Sequence, residues 1–170
     1  TQKIYAKNLD TLQLATIYNN KGLCAFRLEK PSVALRNYIH AEKYYTYQQD
    51  KAGLAKVYNN LAVLYERGFN NYAAAITYFQ KTSSLKRELK KHTSLSLTYI
   101  NITGLYIKSN NLDSALKYVA IADSLAPELS QQQIDVNNFY AKIYAAKGDY
   151  EKAYYYALQQ NLLMEKLHVI

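Results

Sequence analysis

The chain has 170 residues, 49% of them hydrophobic, with nineteen tyrosines, no tryptophan and a formal charge of +8. That hydrophobic content is that of a globular protein rather than a disordered one, and the lack of any run of about 18 apolar residues excludes a membrane-spanning helix. Cys24 is the only cysteine, so no internal disulfide forms. The charge is uneven: residues 1–91 carry 15 Lys/Arg against 6 Asp/Glu, or +9, and residues 92–170 carry 6 against 7, or −1. A basic first half can attract an acidic partner, or it can be an ordinary solvated helical surface.

Taken in order, the chain writes one two-helix unit four times. Gln2 to Asp10, QKIYAKNLD, aligns with Glu42 to Asp50, EKYYTYQQD, forty residues later. Residues 1–9 therefore read as the tail of a truncated preceding repeat, with Asp10 and Asp50 as N-caps accepting from free backbone N–H groups. An N-terminus without an initiator Met or the apolar core of a signal peptide agrees with a fragment of a longer protein. The first full repeat, 10–49, holds TIYNNKGLCAFRL, and Pro31 suits the first turn of its second helix, where a missing N–H costs nothing. That helix places Ala34, Tyr38 and Ala41 on one face.

The second repeat, 50–90, contains Tyr58 to Phe79, a helix, a tight turn and a second helix. It has one extra residue in the turn Gly68-Phe69-Asn70-Asn71, where Gly68 is expected to supply the positive φ that ends a helix. Its second helix repeats the face as Ala75, Phe79 and Thr82. The third repeat, 91–127, carries Tyr99, Asn101, Thr103 and Tyr106, turns at Asn110-Asn111, and continues with Ala115, Val119 and Ala122 until Pro127 closes it early. The fourth, 128–170, is capped at Ser130, runs through Asn137, Ala141 and Tyr144, turns at Gly148-Asp149, and resumes with Tyr150, Ala153 and Ala157.

This pattern resembles the tetratricopeptide repeat, whose first helix opens on an aromatic followed by Leu, Gly/Ala and Tyr, and whose second carries Ala, Phe/Tyr and Ala before a closing Pro. In the third copy these positions are Tyr99, Ile102, Thr103, Tyr106, Ala115, Val119, Ala122 and Pro127. Ala25 departs from the pattern in the first copy and Gln160 in the fourth. Units of about forty residues, longer than the usual ~34, with YNNLAxLY in the first helix, are similar to those of kinesin light chain and of bacterial peptide-sensing regulators. The resemblance implies an all-α protein, a right-handed α-solenoid of stacked antiparallel helix pairs forming a single array over 1–170. One helical pair cannot bury its apolar face alone, so stability comes from stacking.

Function is expected in the concave groove lined by the first helices. Carried over by the resemblance, the groove positions are Asn20, Asn60 and Asn101 (with Phe139 in the fourth copy), then Asn19, Asn59 and Asn138, broken by Ile100, and about two turns on Arg27, Arg67 and Lys108. Asn suits a peptide groove because its amide offers donors and an acceptor to an extended main chain, and Arg or Lys adds charge-assisted bonds to acidic groups. The same asparagines can instead bond only to neighbouring helices and order the stack. The partner implied is a peptide or protein segment, possibly acidic, with the chain as the sensory or assembly module of a larger regulatory protein. The alternatives are a self-association array, or nucleic-acid binding through the basic half.

The family's carboxylate clamp is not supported, because its third copy needs cations where this chain has Leu97 and Asn101. No phosphate loop, H-E-x-x-H or nucleophile elbow is present, so no enzyme and no cofactor is expected. His40, His92 and His168 fall in different helical units without a partner at ligand spacing, so no metal site is expected. Cys24 lies in a packed pattern and is expected in the core. The basic run LKRELKK, Leu85 to Lys91, is a weak nucleic-acid signal. Asn101-Ile102-Thr103 spells a glycosylation triplet but sits mid-helix.

Overall fold

The computed structural model describes the backbone of residues 2–168 and the side chains of 11–91 and 94–167. All of its regular structure is helical: α1 (Gln2–Arg27), α2 (Pro31–Tyr47), α3 (Lys51–Val63), α4 (Tyr72–Glu88), α5 (His92–Lys108), α6 (Leu112–Asp123), α7 (Gln131–Ala146) and α8 (Tyr150–His168). A short π-helical turn, Leu64–Gly68, extends α3. The chain divides into two compact units, residues 1–89 and 90–170. Within the first, α1 pairs with α2 and α3 with α4, and α2 joins the pairs through α3. In the second, α5 pairs with α6 and α7 with α8, joined through α6 and α7.

One turn chemistry closes most of these helices. Glu29, Gln49, Asn70, Lys90, Asn110 and Gly148 all take positive φ, between 51° and 81°. In the left-handed conformation a residue swings the chain back so that the next N–H reaches a carbonyl of the helix just finished. Lys30 N thus donates to Ala25 O, Asp50 N to Tyr45 O, Asn111 N to Tyr106 O and Asp149 N to Tyr144 O, each five residues back. The following residue then opens the next helix. Asp50 Oδ1 accepts from Ala52 N and Gly53 N, Asn71 Oδ1 from Ala74 N and Asn111 Oδ1 from Ser114 N. Ser130 caps α7 as expected, accepting from Gln133 N.

Four expectations are corrected. The extra residue of the second repeat does not lengthen the turn; the π-helical turn absorbs it, so Asn71 N closes on Tyr65 O, six residues back at 2.8 Å. Accordingly Asn70, at φ 51°, supplies the positive φ expected of Gly68. Asp10 does not open a helix, because it falls inside α1, which runs unbroken from Gln2 to Arg27. Cys24 is exposed rather than in the core.

Packing follows the small-residue positions. Ala34, Ala75 and Ala115 are fully buried, as are Ala62 and Ala122. In the first unit they let Ala15, Tyr38, Ala41, Tyr45, Val57, Leu61 and Leu64 join one core cluster. Gly22 permits a close approach, since a Cβ there would lie 2.5 Å from Tyr38 Cε1. Burial pushes the Tyr38 phenol up to about 12. In the second unit Thr103 stands at the small-residue position; its buried hydroxyl donates back to Tyr99 O at 2.9 Å, which spares it an unpaired polar group. Ser96 Oγ ties α5 to α6 by donating to Ala122 O at 2.9 Å. α6 is the shortest of the α-helices, at 12 residues, ending before Pro127.

Candidate functional site

Helices α1 and α3 run through the first unit as its two opening helices, and the expected groove residues are strung along them. Asn60 Nδ2 donates to Asn19 Oδ1 at 2.9 Å, so an amide of one repeat grips the amide of the repeat before it. Both are half-buried. The single bond leaves the Asn19 amide hydrogens, the Asn60 carbonyl oxygen and one Asn60 hydrogen still able to pair. Asn59 is half-buried beside this pair in sequence, whereas Asn20 is exposed and lines a separate, mainly apolar depression with Ile17, Cys24, Leu28 and Val33. The first expected stripe is therefore not one row: Asn60 meets Asn19, and Asn20 looks elsewhere.

Two turns further along the same helices, Arg27 and Arg67 come together. They line one cleft of about 440 Å³ with Phe26, Glu29, Pro31 and Gly68. The π-helical turn presents Arg67 here, and Gly68 lets that turn sit against Pro31: a Cβ on Gly68 would lie 3.2 Å from Pro31 Cβ. Single π turns inside helices are frequent at functional sites. Neither arginine has an ion-pair or hydrogen-bond partner among the described residues. Two unpaired guanidinium groups in one concavity form a receptor for carboxylate or phosphate oxygens, because each offers a planar fork of donors.

Tyrosines stiffen the walls between paired helices. Tyr65 stacks on Tyr78 with centroids 5.4 Å apart, and Tyr58 lies 5.9 Å from Tyr78. Burial, and then the nearby Glu42 carboxylate, push Tyr58 up to about 12.

The second unit carries the remaining expected residues differently. Asn101 on α5 and Asn138 on α7 are half-buried, and Lys108 is exposed at the end of α5. The positions equivalent to Asn19 and Asn60 are here Ile100 and Phe139, so no amide pair forms. Instead Phe139 packs over Gly104, whose added Cβ would meet the ring at 3.4 Å. No group of three or more His, Cys, Asp or Glu side chains able to hold a metal occurs among the described residues, and no described helix is long and apolar enough to cross a membrane.

Helix pairs that repeat one turn and one set of close contacts define a helical-repeat protein of the α-solenoid class, built to present surfaces. Residues 13–88 match the tetratricopeptide repeat family model and are tetratricopeptide repeats, a family whose usual role is protein–protein interaction. The structure of BtubC (BKLC) from P. vanneervenii is similar over 91% of this chain, at 19% identity and a TM-score of 0.80, a likeness that shows the fold. This chain spans 65% of that one's length. MamA 41-end from Desulfovibrio magneticus RS-1 aligns over 89% of this chain and 96% of its own at 17% identity, with a TM-score of 0.42 that establishes no common arrangement. No curated protein matches the chain in sequence.

Proposed function

We propose that the chain is a scaffold without catalysis of its own, which binds an extended, acidic peptide or protein segment along α1 and α3. The observation that carries this is the pairing of Asn60 with Asn19 at 2.9 Å, two turns from a cleft holding both Arg27 and Arg67. In this reading the amide pair meets the peptide main chain, whose N–H and C=O groups match its spare acceptor and donors. The two arginines take an acidic side chain or a terminal carboxylate by charge-assisted bonds. Asn59 flanks the amide pair, and Asn20 borders the apolar depression on the far side of α1. In the second unit Asn101, Asn138 and Lys108 extend the same strategy with fewer amides. Forty-residue units like these support a place as the sensory or assembly module of a larger, bacterial regulatory protein.

The test is selection of peptides from a random displayed library on the 170-residue chain. Selected sequences are expected to carry Asp or Glu, and their binding is expected to weaken as salt rises, since partly exposed charge pairs are screened. Replacing Arg27 and Arg67 together by Glu should abolish selection of acidic sequences. Selected peptides without acidic residues, or with affinity indifferent to that double replacement, would overturn the reading.

A further inference from the structure

The four repeats are near-copies, which makes one departure informative. On the inner face of the opening helix, one turn apart, the second repeat has Leu54 and Tyr58 and the third has Leu95 and Tyr99. At the equivalent places on α7 the fourth repeat has Gln133 and Asn137. Tyr58 and Tyr99 send their rings to a tyrosine of the paired helix, with centroids 5.9 Å from Tyr78 and 6.0 Å from Tyr118. Asn137 has no ring to send. Its counterpart on α8, Tyr156, turns to Tyr140 instead, stacking at 4.5 Å.

The volume the missing ring would occupy contributes to a cleft of about 470 Å³ in the second unit, lined from α6, α7, α8 and the segment after α6. Asn137 lies in its wall. The side chain is only 6% exposed, and its amide has no hydrogen-bond partner among the described residues. An unpaired amide on an otherwise buried side chain opens onto the cleft, where it can bond a ligand atom. Around it stand Asp123, Glu128, Tyr155 and Tyr156. Gln133 Nε2 donates to Asp123 Oδ1 at 2.7 Å, fixing that carboxylate at the edge of the cleft. Glu128 has no ion-pair partner among the described residues. No cation lines the cleft, and two lysines of the same unit are paired with other carboxylates: Lys147 with Asp113 at 2.6 Å and Lys152 with Asp149 at 2.7 Å.

We propose that this cleft binds the cationic side chain, arginine or lysine, of a partner protein segment. Two carboxylates at its edge repel an anion. An apolar side chain would strip water from Asp123, Glu128 and the Asn137 amide and return no hydrogen bond. A guanidinium or ammonium group satisfies all three and gains the ring faces of Tyr155 and Tyr156. The site lies in the unit of near-neutral charge and selects the opposite sign to the arginine cleft of the first unit, so it stands independently of the groove reading.

The experiment titrates N-acetyl-arginine amide into the 170-residue chain and follows the side-chain amide signals of Asn137 and the ring signals of Tyr155 and Tyr156 by NMR. N-acetyl-glutamate amide serves as the opposite-charge control. Saturable shifts with the arginine probe alone are expected, weakened about tenfold by Glu128→Gln, as loss of a hydrogen bond to a charged group implies. Asn137→Tyr, which restores the ring of the other repeats, should abolish them. Equal shifts from both probes, or arginine binding undiminished in Asn137→Tyr, would overturn the proposal. Should Asn137→Tyr not fold, Glu128→Gln decides alone, because Glu128 is exposed and its unchanged affinity would equally refute the site.

Discussion

Replacing Gly22 by Ala tests whether close helix approach sets stability here. Alanine is the better helix former, by about 1 kcal/mol per residue, and on that ground alone the substitution would stabilise α1. The structure opposes this. The new Cβ would lie 2.5 Å from Tyr38 Cε1, 2.6 Å from Cδ1 and 3.1 Å from Cγ. Tyr38 is 1% exposed and packed on all sides, so its ring cannot swing clear. Overpacking of this kind costs about 1–3 kcal/mol, and a clash against the near edge of a buried ring belongs in the upper half of that range. The net effect is a destabilisation of about 1–2 kcal/mol after the propensity gain. Gly104 provides the internal control: its Cβ would meet Phe139 at 3.4 Å, an ordinary contact, so Gly104→Ala should keep most of the propensity gain. Thermal melting followed by circular dichroism should then show Tm falling by roughly 2–8 °C for Gly22→Ala, and rising by up to about 4 °C for Gly104→Ala. Both variants moving Tm in the same direction would refute the reasoning.

Further outcomes follow from caps, amides and phenols. Asn71→Ala removes the acceptor for Ala74 N and should cost about 1 kcal/mol, seen as a lower urea midpoint at unchanged m. Asn60→Ala leaves the half-buried Asn19 carbonyl without its donor; a loss of about 1 kcal/mol in the same assay is expected, with helical content retained. Tyr38 and Tyr58 are raised by burial to about 12, from 10.0 in the unfolded chain. A phenol whose folded-state value lies above its unfolded one keeps its proton longer in the native protein. Stability from these residues is therefore complete below pH 10 and declines as pH rises from 10 towards 12. Tyrosinate absorbance should accordingly rise later in the folded protein than in urea, and coincident curves would contradict the burial argument.

How much of this was legible in the sequence depends on what kind of residue carried the information. Positions read by size, such as Ala34, Ala75, Ala115 and Phe79, landed in the core, because close packing tolerates little else there. Turn positions were legible as turns, yet which residue takes the left-handed conformation was not. Glu29, Gln49 and Lys90 adopt it although their composition does not demand it, because the closing hydrogen bond outweighs the strain. The π-helical turn at Leu64–Gly68 was hidden because an extra residue can be absorbed in a helix as readily as in a turn. Cys24 reads as apolar but faces outward, since the small positions that touch α2 are Gly22 and Ala25. Of the candidate site, Arg27 and Arg67 were recognisable as equivalent, while the partnership of Asn60 with Asn19 rather than Asn20 needed the stagger between repeats. The cleft at Asn137 had a sequence signal in the exchange of Leu and Tyr for Gln and Asn, one turn apart.

Central to the account is that the amide pair on α1 and α3 stays open to a peptide main chain. The most direct measurement is NMR of the side-chain amides of Asn19 and Asn60 while an acidic peptide is titrated into the 170-residue chain. Shifts of both signals that saturate together, and that Arg67→Ala weakens about tenfold without altering the fold, are the predicted result. Amide signals that stay still while the peptide binds elsewhere would mean that the pair only orders the stack, and the account would fail.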